Sequence, residues 1–228
     1  MTLSVVIPTL DEEARIGARL DELATMPGVD EVIVADGGSR DGTIDVASSR
    51  SGVRALRAGR GRASQQNAGA AVARGDVLLF LHADVSLPPD APSHVRRALD
   101  DPRVVAGAFR TWTVPDAGRS LLAPLLHLAD LRSRYSALPY GDQAIFVRAE
   151  AFRRVGGFPD QPLMEDLELS RRLQCLGRIR IVPARVRVSG RRFLARPIYY
   201  TLAVNLFPVL YAMGVGPATL KRLYGDPR

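Results

Sequence analysis

Leu81-His82-Ala83-Asp84 closes a run of apolar residues, and Glu165-Asp166 opens a helical pattern about eighty residues later. Val77 to Leu81 is apolar on both parities and is bounded by Gly75-Asp76 and by Val85-Ser86-Leu87-Pro88-Pro89, so it reads as a fully buried strand. Asp84 then lies beyond the carboxyl end of that strand. In open parallel α/β sheets ligands sit at those ends, which gives an unpaired carboxylate there a reason to exist. The bland alternative is a loop cap. Together the two acidic clusters suggest an enzyme.

Other segments could hold a nucleotide. Val5-Val6-Ile7-Pro8-Thr9-Leu10-Asp11-Glu12-Glu13 puts polar groups where a first strand meets a first helix. Pro8 stiffens that turn, and Glu12 can accept from base or ribose donors. A plain helix cap explains the segment equally well. Asp36-Gly37-Gly38-Ser39-Arg40-Asp41-Gly42-Thr43 is a glycine-rich turn in which Asp36 can accept nucleobase N–H groups, while Asp41 suits a helix cap. Gly59-Arg60-Gly61-Arg62-Ala63-Ser64 imitates a dinucleotide fingerprint, but Ser64 takes the third glycine position and the segment follows the third strand, so NAD is not implied. Arg60 and Arg62, ahead of a helix N-terminus, are placed to meet phosphates, with Gln66 and Asn67 in support. Asp142 either orients an acceptor or caps a turn, and Trp112 either packs or stacks on a sugar. His94 and His127 read as ordinary helix residues.

Strands and helices alternate through the first ninety residues: strands at Ser4 to Pro8, Glu31 to Ala35, Val53 to Leu56 and Val77 to Leu81, helices from Asp11 as N-cap to Met26, Asp41 to Ser49 and Ser64 to Arg74. That order predicts βαβ units and a parallel sheet. Beyond Asp90 the pattern loosens into a strand at Val104 to Thr113, a Leu-rich helix at Ser120 to Arg134, a strand at Ala144 to Arg148 and a helix at Asp166 to Leu176. No linker or repeat divides residues 1–190, so they read as one domain, with a nucleotide-binding half at 1–90 and an acceptor half at 91–190.

At 228 residues with one cysteine, Cys175, the chain can bury a core without staples, and neither an intramolecular disulfide nor a Cys-cluster zinc site is available. The start, Met1-Thr2-Leu3-Ser4-Val5, lacks a signal-peptide pattern, so a cytoplasmic location is expected. Net charge is +7, yet basic residues are scattered, aromatics are 6% and no nucleic-acid-binding motif appears, so no nucleic-acid partner is expected. Lys221 is the sole lysine; its place near the C-terminus argues against a phosphate or Schiff-base lysine inside the fold.

Residues 191–228 differ in kind. Ile198 to Leu220 carries no charge and is flanked by Arg191, Arg192 and Arg196 and by Lys221 and Arg222. That length could span a bilayer, but Asn205, Pro208, Gly214, Gly216 and Pro217 interrupt it. Interfacial attachment, at the inner face of the cell membrane, and core or oligomer packing are the other readings. Oligomeric state is left open.

In order and spacing, Ile7-Pro8-Thr9-Leu10-Asp11-Glu12, the Asp36 to Thr43 turn, Asn67-Ala68-Gly69, Leu81-His82-Ala83-Asp84, Gly141-Asp142-Gln143, Gly156-Gly157-Phe158 and Glu165-Asp166 resemble the family 2 glycosyltransferases. The resemblance spans about Leu3 to Leu176 and implies an α/β GT-A fold, with a mixed, mostly parallel sheet flanked by helices. It is closest to short bacterial members that pair Leu-His-Ala-Asp with Pro-Leu-Met-Glu-Asp, here Pro162 to Asp166.

The resemblance implies that Pro8, Leu10, Glu12 and Asp36 line the nucleoside pocket of the donor, with Asp84 at its diphosphate; Thr9, Arg62 and Asn67 join the donor-nucleotide side on the reading of the residues above. It further implies that Asp84 holds a divalent cation, Mg²⁺ or Mn²⁺, on the diphosphate and that Asp166, beside Glu165, is the catalytic base; His82 as a second metal ligand, and Asp142 and Trp112 on the acceptor side, are readings of the residues themselves. Such a cation would neutralise charge on the departing diphosphate while the base takes the acceptor proton, and direct displacement inverts the anomeric carbon. Three departures stand out. Asp36-Gly37 replaces an acid pair, His82-Ala83-Asp84 replaces Asp-x-Asp, and the Gln-x-x-Arg-Trp segment of processive synthases is missing, with Gly190-Arg191-Arg192-Phe193 in its neighbourhood. Transfer of a single sugar from a nucleotide-diphosphate sugar to a small, lipid-like or carotenoid-like hydroxyl acceptor follows. The rival readings are a pyrophosphorylase-like nucleotidyltransferase and a non-catalytic membrane-associated scaffold.

Overall fold

The computed structural model describes residues 1–115, 130, 133, 138–190 and 197–225. Strands β1 (Leu3–Thr9), β2 (Glu31–Asp36), β3 (Val53–Arg57) and β4 (Val77–Phe80) alternate with helices α1 (Glu13–Ala24), α2 (Thr43–Ser48) and α3 (Arg62–Val72). β5 (Val85–Ser86), α4 (Ala91–Leu99), β6 (Val104–Val114), β7 (Phe146–Arg148), α5 (Ala149–Arg154), α6 (Glu165–Gln174) and β8 (Arg178–Ser189) follow. Helices α7 (Pro197–Ala212) and α8 (Pro217–Tyr224) end the described chain.

The sheet runs β3-β2-β1-β4-β7-β6-β8-β5. β1 to β4 pair in parallel, as the alternation of elements requires, and β7 then turns the sheet antiparallel on both its sides. Side-chain period 2 divides the core. Val5 and Ile7 join Ile16, Leu20 and Leu23 of α1 on one face, while Val6 joins Ile33, Phe80 and the small residues of α3 on the other. Both faces are covered, which is why these strands read as continuous apolar runs. The small residues of α3 have a packing reason: a Cβ on Gly69 would collide with the Val6 side chain.

Several boundaries shift from the sequence expectation. Asp11 is not the cap of α1. It sits at φ 54°, its Oδ1 accepts the Arg40 amide at 2.8 Å and its own amide donates to Ser39 Oγ at 2.9 Å, so it ties the β1 and β2 turns together. α3 begins two residues before the expected Ser64, at Arg62 behind Gly61 (φ 133°). β8 was not foreseen at all. Its alternation of Arg with Ile and Val is a half-exposed strand pattern, interrupted by Pro183 at a register shift against β6. The expected Ser120 to Arg134 helix and His127 lie outside the described residues, apart from Asp130 and Ser133, which accept the amides of Thr113 and Thr111 at 2.9 and 3.1 Å.

The tail folds back as two helices. Ala203, Phe207 and Leu220 pack on Leu163, directly before the Glu165-Asp166 pair. Among the described residues no helix is long and apolar enough to cross a membrane, since α7 is 16 residues and gives way to Gly214 (φ 94°). The outer side of α7 nevertheless leaves Ile198, Leu202, Leu206, Val209 and Met213 exposed.

Candidate active site

Two cavities meet at the carboxyl ends of β1 and β4. The larger, about 530 Å³, runs from Pro8, Thr9, Leu10 and Glu12 across the first turn of α3 (Arg62, Ala63, Ser64) to His82 and Asp84. The smaller, about 130 Å³, lies among Asp84, Tyr140, Asp142, Met164, Glu165 and Asp166, and its far wall is made by Ala203, Val204, Phe207 and Tyr224 of the tail. Arg62, His82 and Asp84 line both.

Asp84 is held by its backbone. Its carbonyl accepts the Ser189 amide at 3.1 Å, and Val85 N–H closes a turn on the His82 carbonyl at 3.1 Å. The short β5–β8 ladder anchors this turn. The α3 N-terminus, with Gly61 through Ser64 on the wall of the larger cavity, presents backbone amides and a positive dipole end suited to phosphate oxygens.

Asp166 lies opposite, at the start of α6. Its Oδ2 accepts the Gly141 amide at 2.6 Å and its Oδ1 accepts the Leu167 amide at 2.7 Å. Two fixed donors orient the carboxylate, and each oxygen keeps a further lone pair for an incoming hydroxyl. Gly141 stands between two site groups: a Cβ there would lie 3.1 Å from His82 Nε2 and 3.2 Å from Asp166 Oδ2. Met164, immediately before the acidic pair, adopts φ 65°, backbone strain of about 1–3 kcal/mol concentrated where the α6 acids are aimed.

Glu165 is not beside Asp166 in environment. It is 2% exposed, and its Oε1 pairs with Arg62 Nε at 3.1 Å. Burial pushes its carboxyl pKa up, only partly offset by Arg62, and the charge of Asp166 adds to the rise. The Arg62 guanidinium is held above its usual range by Glu165.

Three sequence candidates fall outside both cavities and a fourth lines the smaller one. Asp36 is fully buried and lines neither cavity. Its Oδ2 accepts the amides of Gly38 and Ser39 at 3.0 Å each, and its Oδ1 accepts Thr9 Oγ1 at 3.3 Å and the Ser39 hydroxyl. It builds the floor under the first turn. Asn67 clamps Phe158, donating to its carbonyl at 2.8 Å and accepting its amide at 2.9 Å, which explains the Gly156-Gly157-Phe158 segment as a structural partner of α3. Trp112 stacks against the Arg185 guanidinium at 4.7 Å and lies outside both cavity walls. Asp142 does line the smaller cavity, on the 3-10 turn Gly141–Gln143.

Sequence reasoning missed other groups. Gln65 lines the larger cavity and donates to the Thr9 and Ala35 carbonyls at 2.5 and 3.1 Å, joining the tips of β1 and β2. Lys221 corrects an expectation: the sole lysine, near the C-terminus in sequence, is brought by α8 into the wall of the larger cavity. Nothing short of the tail folding back could have shown this.

A divalent cation fits here only with help. Asp84 and His82 share the larger cavity, but among the described residues no three His, Cys, Asp or Glu side chains gather as a metal site. A hard cation wants about six oxygen ligands, so diphosphate oxygens and water would have to complete the set.

Residues 4–156 match the family model described as Glycosyl transferase family 2. Glucosyl-3-phosphoglycerate synthase of Mycolicibacterium paratuberculosis is 35% identical over 100 residues, 38% of this chain and 30% of its own length. Probable glycosyltransferase YdaM of Bacillus subtilis is 26% identical over 209 residues, 81% of this chain and 49% of its own. The chain thus spans half or less of the curated relatives it matches.

Among solved structures, S. aureus TarS 1–349 in complex with UDP-GlcNAc superposes with TM-score 0.66 at 17% identity, covering 98% of this chain and 70% of that one. Mannosyltransferase PcManGT from Pyrobaculum calidifontis, in complex with GDP-Man and Mn²⁺, gives 0.66 at 20% identity over 97% and 67%. Glucosyl-3-phosphoglycerate synthase from Mycobacterium tuberculosis, with Mn²⁺, UDP and glucosyl-3-phosphoglycerate, gives 0.62 at 24% over 90% and 78%. The α/β architecture is the GT-A fold of these neighbours, and the chain belongs to glycosyl transferase family 2.

Proposed function

We propose that the protein transfers one sugar from a nucleotide-diphosphate sugar to the hydroxyl of a small or lipid-like acceptor, with inversion. The observation carrying this is that Asp84 and Asp166 line one cavity, while Asp84 also lines the cleft that begins at Pro8. Donor and acceptor can therefore meet at Asp84.

In this reading the nucleoside lies along Pro8, Thr9, Leu10 and Glu12, and the diphosphate meets the α3 N-terminus and Arg62. Asp84 and His82 would hold Mg²⁺ or Mn²⁺, whose charge would neutralise the departing diphosphate. Asp166, oriented by the Gly141 and Leu167 amides, takes the proton of the acceptor hydroxyl, and the oxygen displaces the nucleotide from the opposite face. A single base on one face serves inversion without a covalent intermediate. Glu165 positions Arg62. Asp36 and Asn67 support the donor side from behind, through the first turn and α3. Two of the matched structures hold Mn²⁺, which favours a metal-assisted reaction here.

The acceptor reading rests on the smaller cavity. Leu163, Met164, Val188, Ala203, Val204 and Phe207 give it an apolar side, and Asp142 is placed to orient the acceptor. The exposed apolar side of α7 supports contact with the inner face of a membrane from which a lipid-like acceptor would be drawn. Pairing of Leu81 to Asp84 with Pro162 to Asp166 at one site is the basis for placing the protein in the short bacterial subgroup.

Thermal shift against UDP, GDP and dTDP sugars, each with and without Mn²⁺, tests the reading. One of them should raise the melting temperature, because a ligand that binds only the folded state adds RT ln(1 + [L]/Kd). No stabilisation by any would leave the scaffold reading standing instead.

A further inference from the structure

Lys221 has no part in the sequence resemblance, which ends near Leu176, yet α8 sets it on the wall of the larger cavity together with Arg62, His82 and Asp84. The diphosphate of a nucleotide sugar carries two negative charges and gains a third as the glycosidic bond breaks. Among the groups already facing that end, Arg60 is exposed and the others are poorly matched to this load. Arg62, which meets the diphosphate, shares its charge with the buried Glu165 at 3.1 Å. Asp84 is anionic, and an imidazole at His82 stands where a second metal-binding carboxylate is usual for the family. A compact ammonium is a strong phosphate partner that needs no particular approach geometry.

Resting on the function proposed above, we propose that Lys221 is a ligand of the donor diphosphate, supplied from the tail after the main domain has formed the rest of the cleft. Its charge reaches the site, since Lys221 works against the rise in the Glu165 pKa. The same two helices carry Ala203, Phe207 and Tyr224 into the wall of the acceptor cavity.

Isothermal titration of the full chain with UDP, GDP and the matching nucleosides, in Mn²⁺-free buffer and with Mn²⁺, tests the proposal. Lys221→Met should weaken the preferred diphosphate about tenfold or more in both buffers, leave the nucleoside unchanged, and be largely rescued by Lys221→Arg. Arg222→Met, on the exposed side of the same helix, should match the wild type. The proposal is overturned if Lys221→Met binds diphosphate within twofold of wild type, or if Arg222→Met loses as much, which would make the effect one of undocking α8. If the wild type binds neither diphosphate, the functional reading falls and takes this one with it.

Discussion

Arg62 and Glu165 join the first turn of α3 to the first turn of α6 through a 3.1 Å ion pair, with side-chain exposures of 37% and 3%. The pair sits where the two cavities share their wall, so it fixes the first turn of α3 against the start of α6, where Asp166 lies. The asymmetry in exposure makes the partners unequal. Arg62→Met strands a buried carboxylate and should destabilise by about 2–4 kcal/mol, whereas Glu165→Gln leaves Arg62 reachable by water and should cost about 1 kcal/mol. Urea unfolding of the two variants checks the order, and equal or reversed costs would contradict it.

The raised Glu165 pKa predicts a pH signature. An acid whose folded pKa lies above its unfolded value of 4.5 keeps its proton longer in the native state, so its contribution to stability falls as pH climbs from about 4.5 to the folded value and is level beyond. In Glu165→Gln that slope should vanish. Asp101 acts in a separate window: its pKa is lowered to about 2 by Arg103, so its favourable contribution is lost as pH falls from 3.8 towards 2. Melting temperatures of wild type and variant between pH 4 and 8 isolate the Glu165 part, and parallel curves would rule it out.

Gly141 leaves room for chemistry between His82 and Asp166. Gly141→Ala places a methyl 3.1 Å from one and 3.2 Å from the other, so both must shift by tenths of an ångström. Turnover should fall on the order of 100-fold, as small misplacements of reacting groups do, with diphosphate affinity within about threefold of wild type. Unchanged turnover would mean that the Gly141 gap is not used.

Ala203→Trp should fill the roughly 130 Å³ cavity proposed for the acceptor from the tail side. Sugar transfer should be lost while donor binding by calorimetry is retained. Retained transfer would move the acceptor to another surface.

The outer side of α7 gives a separate test. Leu206→Glu with Val209→Glu places charge on residues 50% and 52% exposed, so folding and donor affinity should hold while flotation with anionic liposomes is lost. If the wild type does not float, the membrane reading ends.

The parallel half of the fold was legible because β1 and β4 are buried on both faces and β2 nearly so; the resulting apolar runs, punctuated by turn residues, leave no other element type. That Asp84 and Asp166 line one cavity was legible in part, because Asp84 follows such a strand and Asp166 opens a helix. Asp36 and Asn67 line neither cavity, and their placement has a physical reason. A carboxylate at a strand tip and an amide on a helix are equally good ligand groups and turn-builders, and only the positions of Gly38, Ser39 and Phe158 decide between them. Lys221 could not be read at all, since its role depends on how Leu163, Ala203 and Phe207 dock the tail.

The most direct test is paired measurement of diphosphate affinity and sugar transfer in Asp166→Asn. The variant keeps the size of the side chain but cannot take a proton, and its single carbonyl oxygen can accept only one of the two amides, Gly141 or Leu167, that the carboxylate accepts. Transfer should drop by roughly 10²–10⁴-fold with donor affinity essentially unchanged. Transfer near the wild-type rate, or loss of donor binding in step with loss of transfer, would contradict Asp166 as the base facing a donor anchored at Asp84.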